Sequence, residues 1–73
     1  MLTDQHTEQL GQQICKARKQ QGLSQIQLAS VSGVGVRFVR ELEQGKASCH
    51  IGKALHVMTM LGLHFSIEAD DTK

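Results

Sequence analysis

LSQIQLASVSGVGVRFVRELEQGK, residues 23–46, carries the punctuation of two short helices joined by a tight turn. Ser24 stands where a helix N-cap belongs, its hydroxyl able to accept a backbone N–H of the first turn. Leu28, Ala29 and Ser32 follow at i, i+1 and i+4, one small-to-apolar face of a helix about two turns long. Gly33 ends that helix, Val34 turns inward, and Gly35 takes a second N-cap position. In the second helix Val39 and Leu42 face in at i and i+3, and Gly45 stops it. Val36, Arg37, Arg40 and Glu41 share the opposite face.

Two helices at this spacing, the second with outward arginines, are expected to form a helix-turn-helix of the kind that enters a DNA major groove. The charge distribution agrees. A formal net charge of +1 over 73 residues is unpromising for a nucleic-acid binder. Between Lys16 and Lys53, however, seven basic residues face only Glu41 and Glu43, while the two ends hold five acids against Lys73. A local basic face therefore survives a nearly neutral total.

A chain of this length supports one small core, and a second copy would add buried surface that it lacks. With no Trp or Tyr and two Phe, it has little aromatic surface on which to stack single-stranded bases. No apolar run reaches membrane-spanning length and the N-terminus is polar, so a cytoplasmic protein with no membrane segment is expected. Cys15 and Cys49 stand apart without a C-x-x-C pair, as reduced thiols would. The four histidines fit no usual zinc spacing, and there is neither a nucleophile–base pair nor a glycine-rich phosphate loop. Neither metal, cofactor nor enzymatic activity is expected.

Around the central pair, residues 1–6 read as a frayed N-terminus, 7–68 as the folded unit and 69–73 as a polar tail. Thr7 is the expected cap of a first helix with Leu10, Ile14 and Ala17 inward, closed by Gly22. Ser48 is a plausible cap for a last helix, with Ile51, Leu55 and Met58 facing the core. Val57 and Met60 widen its apolar arc and are assigned to a dimer contact. Residues 63–68 then alternate, with Leu63, Phe65 and Ile67 on one side. No second strand-like segment is available, so this strand is expected to pair with its own copy across a two-fold axis through Phe65 and Ile67.

The run Arg18…Gly22-Leu23-Ser24-Gln25…Leu28-Ala29…Gly33-Val34…Val39…Leu42-Glu43-Gln44-Gly45-Lys46 resembles the Xre, or Cro/repressor-like, helix-turn-helix family. Gly33–Phe38, Leu42-Glu43…Gly45-Lys46 and Leu61-Gly62-Leu63 with a following strand are similar to the HipB-like antitoxins. The resemblance implies an all-α, lambda-repressor-like domain whose short C-terminal β-strand pairs across a homodimer. It further implies double-stranded DNA with a palindromic operator as one partner and a HipA-like kinase toxin as another. By position it makes Arg18 and Glu43 a structural ion pair and gives Gln25 a phosphate contact. Lys46 is a second phosphate candidate. Arg37 and Arg40 are candidates for guanine, Val36 for a thymine methyl, and Glu41 either accepts from a cytosine amino group or holds Arg37 across one turn. Phe38 is expected to pack against the neighbouring helix. A free-standing Xre-type repressor without a toxin partner is the alternative, and a protein-interaction module without DNA binding is a third reading.

Overall fold

The computed structural model describes residues 4–46 and 50–64 as four helices: α1 (Asp4–Gln20), α2 (Gln25–Ser32), α3 (Val36–Glu43) and α4 (Ile51–Met60). Helix α1 begins at Asp4, so Thr7 is a buried residue inside it and not its cap. Its inward stripe is the expected one: Ile14 and Ala17 are buried and Leu10 packs partly against the core.

Helix α2 is locked at both ends. The Ser24 hydroxyl accepts from the Gln27 backbone N–H (3.0 Å), and Gln27 Oε1 accepts from the Ser24 N–H (2.8 Å), a reciprocal capping box. Gly33 then takes φ 69°, a left-handed conformation that a side chain disfavours, and the Val34 N–H closes onto the Ala29 carbonyl. This turn swings the chain so that Val39 and Leu42 of α3 meet Leu28 and Ala29 of α2 in one core.

Helix α4 closes the core with a face rotated from the expected one. Ala54, Val57, Met58 and Leu61 are buried, an unbroken i, i+3, i+4, i+7 series, whereas Ile51 is 52% exposed at the first helical position. Val57, at 0% exposure, is a core residue and cannot contribute to the dimer contact assigned to it. Met60 stays on the outside. His50 supplies the cap, its Nδ1 accepting from the Lys53 N–H; Ser48 lies outside the described residues. The Gln21 side-chain amide donates to the Leu61 carbonyl (2.7 Å) and ties the end of α1 to the end of α4. Among the described residues there is no strand: Leu63 is half-buried against the core, and residues 65–68, including Phe65 and Ile67, lie outside them.

Helix α1 lies close against the end of α3. A Cβ on Gly11 would lie 2.5 Å from the Leu42 carbonyl oxygen and 2.6 Å from that of Glu43. Gly11→Ala should therefore force the two helices apart and cost about 1–3 kcal/mol, despite alanine's better helix propensity. Gly35, whose added Cβ would meet open space, should lose less on change to alanine, about 0.5–1 kcal/mol for the poorer cap residue. Urea denaturation of the two variants checks this: equal midpoints would mean that α1 and α3 do not pack so closely.

Candidate nucleic-acid interface

The short α3 is held from within by an ion pair. Arg18 of α1 donates through Nε to Glu43 Oε2 (2.6 Å) and through Nη2 to Oε1 (3.1 Å), a two-pronged contact whose side chains are only 10% and 6% exposed. Arg18 Nη1 also donates to the Leu23 carbonyl (2.8 Å), just before α2 begins. Gln25 Nε2 donates to the same Glu43 Oε1 (3.1 Å). One carboxylate thus joins α1, α2 and the last residue of α3. The Gln25 amide, assigned by position to a phosphate, is engaged first in this internal network.

Burial pushes the Glu43 carboxyl up, but the hydrogen bonds from Arg18 and Gln25 and the guanidinium charge outweigh it and hold the group below the usual carboxylate range. The hydrogen bond to Glu43 holds the Arg18 guanidinium above its ordinary value, against the opposing effect of burial.

On the outer side of α3 the arginines reach solvent. The Arg37 side chain is 86% exposed, and its Nε donates to Glu41 Oε2 (3.1 Å). Lys46 Nζ lies 3.8 Å from the same oxygen. Arg40 is exposed and, among the described residues, has no partner. These four side chains form one predominantly basic surface. Val36 departs from the expected outward placement: it is half-buried and packs against the core, so only part of it can face a ligand. Phe38 is also half-buried, with Lys53 Nζ 5.9 Å from its ring centroid, which couples α3 to α4. Gly35 caps α3 without a side-chain hydrogen bond, leaving first-turn N–H groups at the end that a phosphate or base edge would approach.

Sequence reading missed the inner role of Gln25 and the part Gln27 plays in capping α2. The signal for the second was present, since Ser24 followed three residues later by Gln27 is a capping-box pattern.

Because Glu43 titrates lower in the folded chain than in the unfolded one, the stability it contributes is full above the ordinary carboxylate range and is lost as pH falls through the folded value. Glu43→Gln should flatten that acid-side loss in thermal melts recorded from pH 6 downward to about pH 3. Arg18→Ala, which strands a buried carboxylate, should cost about 3–5 kcal/mol at neutral pH. A wild-type acid profile matched by Glu43→Gln would show that the pair does not govern stability there.

Two comparisons bear on this geometry. A helix-turn-helix family model matches residues 14–55, which include the end of α1, all of α2 and α3, and the start of α4. The chain is also 50% identical over 52 residues to the uncharacterized HTH-type transcriptional regulator y4mF of Sinorhizobium fredii (strain NBRC 101917 / NGR234), covering 71% of this chain and 68% of that protein. With the match spanning the turn at Gly33, the buried faces of both its helices and the Arg18–Glu43 pair that ties α1 to α3, the chain belongs to the helix-turn-helix family.

Proposed function

We propose that this protein is a DNA-binding transcriptional repressor that acts as a homodimer on a palindromic operator. The observation that carries the reading is the outer face of α3. Arg40 is exposed there with no partner among the described residues, Arg37 is almost fully exposed, and Lys46 lies beside Glu41 on the same side. An arginine in a major groove donates two parallel hydrogen bonds to guanine O6 and N7, which discriminates that base from the others. A short helix presented by a rigid partner helix is the element that fits the groove. The similarity to a protein named as a transcriptional regulator supports regulation as the outcome of binding. No helix among the described residues is long and apolar enough to cross a membrane, in keeping with a cytoplasmic site of action.

The dimer is proposed through the outer side of α4, where Met60 is 43% exposed, together with Phe65 and Ile67 beyond the described residues. Two recognition helices would then meet successive major grooves about 34–36 Å apart. At a finer level we infer an antitoxin that represses its own operon and binds a HipA-like kinase toxin. Support for this comes from the resemblance carried by Gly33–Phe38, Leu42–Lys46 and Leu61–Leu63.

The test is titration of labelled duplex from upstream of the gene across a salt series. Specific binding should weaken steeply with salt, by about one counterion per phosphate contact. Arg40→Ala should lose about 1–3 kcal/mol of sequence discrimination with its melting temperature nearly unchanged. Salt-insensitive or sequence-indifferent behaviour of the wild type would contradict the repressor reading. Ile67→Asp should sediment as a monomer at micromolar concentration; a persisting dimer would place the contact elsewhere. Co-purification with the product of an adjacent kinase-like reading frame would support the antitoxin role, and its absence would leave a free-standing repressor.

A further inference from the structure

We propose that Glu41 is a positioning residue for DNA recognition, one that sets the reach of Arg37 and Lys46 instead of meeting a base itself. The inference rests on the repressor reading above and concerns how that surface selects its sequence. The Glu41 Oε2 atom accepts from Arg37 Nε at 3.1 Å and lies 3.8 Å from Lys46 Nζ, so one oxygen stands between two cations. The Lys46 backbone N–H also donates to the Glu41 carbonyl (3.1 Å), which brings the lysine to that carboxylate from the far side of the turn. Glu41 is the most covered member of the group, with a side chain 30% exposed against 86% for Arg37 and 53% for Lys46.

Helix stability does not account for the arrangement. An arginine one turn N-terminal to a glutamate is the weaker order for such a pair, and it places a cation at the positive end of the helix dipole. What the arrangement achieves is geometric. Among the described residues Arg37 is held through Nε alone, which leaves both terminal nitrogens for the paired hydrogen bonds that guanine accepts. It is also electrostatic. A carboxylate among three cations (Arg37, Arg40 and Lys46) subtracts from the attraction that any phosphate backbone exerts, whatever its sequence. That loss is common to operator and random DNA; what separates them is the hold on Arg37, which aims its terminal nitrogens at guanine and keeps the side chain from swinging to a phosphate of random DNA. Glu41 therefore acts against the wrong sequences more than for the right one.

The experiment compares wild type with Glu41→Gln, a change of charge at constant size, on an operator duplex, on single-base variants of it and on a random duplex of equal length. Each is titrated over a salt series, with circular dichroism to establish that both proteins are folded. The variant should bind random DNA about three- to tenfold more tightly, with a log–log salt slope steeper by about 0.9. Its operator-to-random ratio should fall about tenfold, the loss appearing at the guanine steps that Arg37→Ala also affects. An unchanged ratio and slope would overturn the inference while leaving the repressor reading intact. Loss of discrimination at one cytosine-bearing step, with random-DNA binding unchanged, would overturn it in favour of direct readout by Glu41. A wild type without operator preference would remove the repressor reading and this inference with it.

Discussion

The Glu43 carboxylate receives hydrogen bonds from two other helices at once, and the orientation of α3 depends on it. Arg18 reaches it from α1 with two nitrogens, and Gln25 from the first residue of α2 with one. Ion pairs this deeply buried are poor sources of net stability, because desolvating both charges offsets most of their attraction. Their geometry is strict, however, and that is the property a recognition helix of eight residues needs. Such a helix is too short to be stable alone. It is fixed by its apolar face, Val39 and Leu42, and by this pair at its C-terminal end.

At the same end of α3 two glycines allow close backbone approach. Gly11 lets α1 lie against the Leu42 and Glu43 carbonyls, and a Cβ on Gly45 would lie 2.6 Å from the Glu8 Cα. Close approach brings Arg18 within reach of Glu43, so the two glycines and the ion pair belong to one arrangement. With α3 anchored on the inside, its far side carries only solvated groups. The cationic surface of Arg37, Arg40 and Lys46 depends on those inner contacts for the orientation of α3, and on Glu41 for the hold on Arg37 and Lys46.

Much of this was legible in the sequence because the deciding residues are local punctuation. Ser24, Gly33, Gly35 and Gly45 mark helix ends through backbone chemistry that neighbours hardly alter, and the i, i+3 spacing of Val39 and Leu42 names their face. The Arg18–Glu43 contact spans 25 residues and no spacing rule could supply it; resemblance suggested it and the coordinates place the groups together. The face of α4 is ambiguous in the sequence because its apolar arc is broad. Ile51–Leu55–Met58 and Ala54–Val57–Met58–Leu61 are both acceptable stripes by periodicity, and only packing against α2 chooses between them. Val57 moved from surface to core for that reason. Gly11 gave no signal, since a glycine within a helix shows its purpose only when the neighbouring backbone is present. Gln25 likewise reads as a polar surface residue until Glu43 is placed beside it.

We propose that the Arg37–Arg40 side of α3 lies in a major groove against guanine. Dimethyl sulfate methylates guanine N7, the atom such an arginine would cover. On DNA that the protein selects from a random pool, bound complexes should protect specific guanine N7 positions, and Arg40→Ala should expose one of them while the others stay covered. Unprotected N7 positions throughout a footprinted site, or protection that survives replacement of both arginines, would contradict the account.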